Sequence, residues 1–156
     1  MTVPVQPRFF ARGEGRTYQL GRLTVTFKTS AEETAGVYSL CETFEPAGWS
    51  AALHRHPSYD ETHIVCEGRY ECQLGEERLE LGPGEMMFVP RGTPHSIRCL
   101  GPETGRELII STPGGIFEAF IHEAATALSQ GPGSPGFGPA TDFRAIAAKF
   151  GIEFLA

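Results

Sequence analysis

At 156 residues the chain has room for one domain with its own core, and 19 Gly with 12 Pro favour many short strands over a helical bundle. A net charge of −6 without any Lys/Arg run argues against binding to a nucleic-acid backbone. No stretch approaches the roughly 18 apolar residues of a membrane span, and the N-terminal MTVPVQPRFFARGEG lacks a signal-type apolar segment.

The strand signals come first. LTVTF (23–27) alternates cleanly, and VYSLCETFE (37–45) is rich in strand formers on both faces. THIVCEG and RYECQLG meet at Gly68. ERLEL, EMMFV, HSIRCL and ELIIST follow, divided by Gly and Pro. Short strands at this density predict a sandwich or barrel. After Thr112 the period changes. Phe117, Phe120, Ile121, Ala124 and Leu128 fall at helical spacing and predict an amphipathic helix packed outside the β-core. GPGSPGFGPA (131–140) reads as a linker or lid. DFRAIAAKF predicts a second short helix, capped by Thr141 or Asp142 and stopped by Gly151. The apolar tail IEFLA is expected to dock. The predicted organisation is a β-barrel over 1–115 and a helical extension of the same domain over 116–156. Cys41, Cys66, Cys72 and Cys99 form no C-x-x-C pair. They read as reduced thiols of a cytoplasmic protein, without structural zinc or a disulfide frame.

Three of the five histidines lie in HRHPSYDETHIVCEG (54–68). In a strand, residues i and i+2 share a face, about 6.6 Å apart along it, so His54 and His56 can bend onto one ion. PSYD lets the chain turn before Glu61, and His95 arrives from a separate segment. Three imidazoles and one carboxylate form a competent site for a divalent first-row metal, with positions left open in an octahedral ion.

Two spaced motifs run through this region. Gly48, His54, His56, Glu61 and Gly68 form the first; Gly84, Pro90, Gly92 and His95 form the second, with Cys99 where Asn is usual. In both, the chain resembles the cupin superfamily. That resemblance implies an all-β fold, a small jelly-roll β-barrel with the C-terminal helices packed outside. It also implies His54, His56, Glu61 and His95 as metal ligands. STPGGIFEAF and the KFGIEFL tail are similar to single-domain cupins of the quercetin 2,3-dioxygenase type. The expected activity is that of a metal-dependent oxidoreductase, a dioxygenase acting on a small enolisable or phenolic molecule with dioxygen. A Lewis-acid isomerase or cyclase and a metal-dependent binding protein stand as alternatives. The cofactor is one divalent ion, drawn from Fe, Mn, Ni, Co, Cu and Zn. A homodimer is expected, as is common for small cupins, through the edge strands such a barrel could expose.

The remaining residues divide by parity. Glu61 and His63 are candidate catalytic residues; His63 shares the inward face of Glu61. It is read as a partner orienting Glu61, a proton carrier, or a core histidine satisfied by a backbone carbonyl. Asp60 is expected to point away as a solvated loop acid, and Cys66 outward. Tyr59 is expected at the barrel mouth or the surface. Trp49 is expected as packing near the entrance, Arg91 and Arg98 as solvated, and His122 as a structural residue of the helix.

Overall fold

The computed structural model describes residues 5–129 and 143–155. The elements in chain order are β1 (Arg16–Leu20), β2 (Leu23–Thr29), β3 (Ser39–Glu45), β4 (Ser50–Arg55), β5 (Asp60–Glu67), β6 (Tyr70–Leu74), β7 (Glu77–Leu81), β8 (Met86–Val89), β9 (His95–Cys99), β10 (Gly105–Thr112), α1 (Ile116–Ser129), α2 (Phe143–Lys149) and β11 (Glu153–Phe154). They form two antiparallel sheets. One has the order β1-β2-β3-β10-β5-β8, the other β11-β4-β9-β6-β7. No described strand hydrogen-bonds across from one sheet to the other. The jelly roll is therefore a two-sheet sandwich rather than a closed barrel.

The alternation of the central strands sets which side chains enter the interior. In β5, Glu61, His63 and Val65 are buried; in β10, Gly105, Glu107, Ile109 and Ser111. Register then builds rows across the first sheet: Ser111 lies opposite both Ser39 and Glu61, and Glu107 opposite Thr43. One apolar cluster joins Val25, Phe27 and Ile109 to Phe120, Ile121, Ala124 and Leu128 of α1. A second, at the other end, holds Val65, Tyr70, Met87, Val89, Ile97 and Cys99. Burial of each large aliphatic or aromatic side chain contributes about 1.5–3 kcal/mol.

Two glycines are required by close approach. Gly68 turns β5 into β6 with φ 87°, and a Cβ there would come within 2.9 Å of the Gly105 Cα. A Cβ on Gly105 would overlap the Tyr70 hydroxyl, whose place inside the sandwich depends on that gap.

Both predicted helices form, and α1 buries the stripe read from the sequence. Glu118 in its first turn accepts the Ala31 N–H at 2.6 Å and pairs with Arg16 at 3.2 Å. The stop at Gly151 also holds: its φ is 73°, and the Ile152 N–H donates back to the Ala147 carbonyl at 3.1 Å. The predicted linker over 131–140 and the cap at Thr141 or Asp142 lie outside the described residues. The apolar tail docks as β11, with Phe154 opposite His54 and Glu153 opposite Arg55 on β4. The helices lie outside the sheets, but they also close the interior: Phe117, Phe120, Phe143 and Phe154 line its cavity. Strand β1 lacks an alternation signal and forms through its five-residue pairing with β2. The cysteines are free thiols, with Cys41, Cys72 and Cys99 buried. Among the described residues, no helix is long and apolar enough to cross a membrane.

Candidate metal centre and its cavity

His54 is the last residue but one of β4, His56 follows the strand, Glu61 lies at the start of β5, and His95 opens β9. The β4–β9 register sets His54 directly opposite His95. Two further contacts draw the segments together. The Gly92 N–H donates to the His56 carbonyl at 3.1 Å. Asp60 accepts from the Arg91 backbone N–H at 2.7 Å and from its Nε and a terminal nitrogen at 3.0 Å each. Asp60 therefore faces away from the interior, as parity predicted, but it is no free solvated acid. It fastens the loop that carries His95 to the strand that carries Glu61. Arg91 is correspondingly a paired residue, half-exposed over that clamp.

The three histidines share one arrangement. His54 Nδ1 meets the Ala52 carbonyl at 2.6 Å, His56 Nδ1 the Tyr59 carbonyl at 3.0 Å, and His95 Nδ1 the Thr93 carbonyl at 2.9 Å. A carbonyl only accepts, so each Nδ1 carries the proton and each Nε2 presents a lone pair. Those lone pairs converge. His56 Nε2 lies 3.2 Å from His95 Nε2 and 3.1 Å from Glu61 Oε2, and His95 Nε2 lies 3.5 Å from the same oxygen. Two overlapping groups, His54–His56–His95 and Glu61–His63–His95, each keep their donor atoms within 4.8 Å of one another. Buried acceptors facing acceptors repel unless a cation lies among them. The donor set therefore fits a divalent metal, with His54, His56, His95 and Glu61 as the residues that could hold it.

The electrostatics agree. Burial, reinforced by His95, lowers His54 to about 4, keeping it neutral as a ligand must be. Burial opposes charge on His56, yet Glu61 draws its pKa upward; the same field attracts a metal ion. Burial likewise works against the Glu61 carboxylate, but its contacts with His56, His63 and His95 hold it well below the usual range; with Nδ1 protonated on His56 and His95, only His63 can donate to it, and a cation shared with the other two supplies the same stabilisation. Tyr59 stacks on His56 with centroids 4.1 Å apart and planes 2° apart, and it is only 1% exposed. The expectation of a mouth or surface position is overturned: Tyr59 is an internal splint for His56.

His63 reaches Glu61 Oε2 through Nε2 at 3.1 Å and Glu107 Oε1 through Nδ1 at 3.3 Å. Both its nitrogens face carboxylates, which rules out the core histidine satisfied by a backbone carbonyl. Burial disfavours its charge, but Glu107 and Glu61 prevail and raise it to about 10. His122 is far from the site on the exposed face of α1, with Nδ1 3.2 Å from the Tyr18 hydroxyl. Cys66 faces outward from β5, and Cys99 is buried beside Tyr70, away from the donors.

A cavity of about 500 Å³ opens onto the donors. Its walls include Trp49, Ile97, Ile109, Phe117, Phe120 and Phe154, with Thr43, Glu45 and Glu107 on one side. These last three went unread in the sequence. The available signal was parity: Glu107 shares the face of Ile109, and Glu45 that of Cys41. The Tyr70 hydroxyl donates to Glu45 Oε2 at 2.6 Å, while burial and then Glu107 push the Glu45 carboxyl up to about 8.

Residues 40–111 match the family described as Cupin domain. Over 98 residues, 63% of this chain, the sequence is 32% identical to quercetin 2,3-dioxygenase of Bacillus subtilis (strain 168), of whose length it spans only 29%. Among solved structures, KdgF from Halomonas sp. superposes with a TM-score of 0.61 at 20% identity, covering 70% of this chain and 96% of that one. The polyketide cyclase RemF from Streptomyces resistomycificus gives 0.59 at 24% identity, covering 69% and 80%. At those identities the two structures speak for the fold alone. The family match, the two-sheet jelly roll and the spaced motifs agree, and residues 40–111 of this chain are a cupin domain.

Proposed function

We propose that this chain is a metal-dependent cupin oxidoreductase, a dioxygenase acting on a small enolisable or phenolic molecule. The observation that carries the reading is the convergence of three Nε2 lone pairs and one carboxylate at an aromatic-walled cavity. The 32% identity to a quercetin 2,3-dioxygenase over 98 residues supports the reaction class. A bound divalent ion (Fe, Mn, Ni, Co, Cu or Zn) would supply a Lewis-acid centre and, where redox-active, electrons for dioxygen chemistry.

The protein's own residues do the rest. Phe117, Phe120 and Phe154 wall the cavity and exclude water from a reacting molecule. The low pKa of Glu61 makes it a ligand before it is a base. His63 is the proton-holding group: its Nε2–H fixes the Glu61 carboxylate and keeps a proton one contact away from it. A homodimer belongs to the same reading. Met86 and Phe88 are each 51% exposed on β8, the edge strand of the larger sheet.

The test is oxygen uptake by iron-, manganese-, nickel-, cobalt- and copper-reconstituted protein with flavonols and other enolisable compounds. Uptake with at least one metal and substrate is expected. None with any pairing overturns the dioxygenase reading. Turnover under argon with zinc would assign a Lewis-acid isomerase or cyclase instead, and thermal stabilisation without product a binding protein.

A further inference from the structure

The wall that β3 and β10 give the cavity carries acceptors that the metal centre does not use. Glu107 is fully buried, and neither of its carboxylate oxygens receives a hydrogen bond of normal geometry; His63 Nδ1 approaches Oε1 at 3.3 Å without alignment. The Thr43 hydroxyl, directly opposite Glu107 in register, is likewise unmatched. Glu45 lies two residues further along β3, held by the Tyr70 hydroxyl. All three line the same cavity as the donor set. On β10, Glu107 is four residues from Ser111, which faces Glu61. The His63 ring lies between the two carboxylates, 3.1 Å from Glu61 Oε2 and 3.3 Å from Glu107 Oε1, so about the width of one imidazole separates the Glu107 wall from the donor set.

A buried acceptor that loses its partners costs more than a made hydrogen bond returns. A ligand that brings a donor to these oxygens relieves that cost, and one that lacks a donor does not. An apolar molecule matches the phenylalanine wall but leaves Glu107 and Thr43 stranded. We propose that Glu107, with Thr43 and Glu45, forms a recognition site for a hydroxyl group at the end of the substrate remote from the metal. The preferred ligand is then a flat, neutral molecule with an oxygen at each end. It binds metal with one and donates a hydrogen bond to Glu107 with the other. A neutral donor fits better than an organic cation. His63 already stands beside Glu107 as a counter-group, and Glu45 is held largely protonated below about pH 8. This inference rests on the metal-centre reading for one end of the ligand and on the Glu107 wall for the other.

Trp49, the chain's only tryptophan, lines the cavity and reports binding by fluorescence. The probes are a dihydroxynaphthalene with one hydroxyl on each ring, its mono-methyl ether, and the corresponding aminomethyl-naphthol, whose alkylamine is protonated and so carries a positive charge. Each is titrated under argon against zinc-loaded protein, Glu107→Gln and His56→Ala. In wild type the diol should bind at least about 10-fold tighter than the ether, as a hydrogen bond to a buried carboxylate requires. In Glu107→Gln that ratio should fall to within about 3-fold. Without metal the ether can turn its one hydroxyl to Glu107, so in His56→Ala the comparison is naphthol against its methyl ether: a preference for the naphthol there supports the site whatever the metal adds to affinity, and no preference overturns it. A wild-type ratio near one overturns the proposal, and so does an unchanged ratio in Glu107→Gln. Tighter binding of the amine than of the diol overturns it in favour of a cation site. If Glu107→Gln does not fold, Thr43→Val and the wild-type ligand pair decide the matter in the same terms.

Discussion

Replacement of Glu45 by Gln should change how stability responds to pH. In the unfolded chain this carboxyl releases its proton near pH 4.5, whereas in the fold it does so near 8, because burial and Glu107 disfavour its charge. Between those values the folded protein holds one proton more than the unfolded chain, so stability falls as pH rises. The slope is about 1.4 kcal/mol per pH unit for one group. Across the window the loss reaches roughly 4 kcal/mol, a large part of an ordinary domain's stability. Gln keeps the shape and still accepts the Tyr70 hydroxyl, but it does not titrate. The difference in unfolding free energy between Glu45→Gln and wild type should therefore grow in the variant's favour from pH 5 to pH 8. Urea unfolding of both proteins with chelator present, at four pH values in that interval, measures it. A difference that stays flat with pH refutes the placement of Glu45 as a buried carboxyl beside Glu107.

Tyr59→Leu removes the ring stacked on His56 and should weaken metal affinity about 10- to 100-fold; competition against a chromophoric chelator reads this, and unchanged affinity would contradict the splint role. Gly105→Ala puts a Cβ into the space of the Tyr70 hydroxyl and should destabilise the fold by about 1–3 kcal/mol in urea unfolding. Asp60→Asn weakens the clamp on Arg91. Because that pair is half-exposed and screened by solvent, the urea midpoint should move little, with metal content preserved. Loss of the metal would make the clamp part of the site.

The histidines and Glu61 are legible because motif spacing and strand parity agree on them; the β4–β9 register joins His54 to His95, and the contacts of the His95 loop with His56 and Asp60 bring in the rest. Parity also places Asp60 and Cys66 outward. What escapes is whatever depends on partners distant in sequence. RTYQL has no apolar alternation, and β1 exists because β2 offers it an edge. Tyr59 sits in a short turn, where an aromatic residue usually faces solvent; the imidazole that buries it is specified only in three dimensions. Glu45 and Glu107 escape because an acid within a strand normally marks the outward face. Here both lie on the inward one, and only cross-strand register brings them together with His63 and Thr43. The single inward residue of the Met86–Met87–Phe88 run, Met87, is likewise fixed by its pairing with His63 on β5.

The most direct test of the central claim is the metal content of the purified protein by elemental analysis, beside His56→Ala and His63→Ala. One equivalent of a divalent first-row ion is expected in wild type and in His63→Ala, whose side chain positions Glu61 without being needed as a ligand. His56→Ala should hold close to none. A wild-type protein that cannot be loaded with any such ion, or a His56→Ala chain that keeps a full equivalent, would contradict the account.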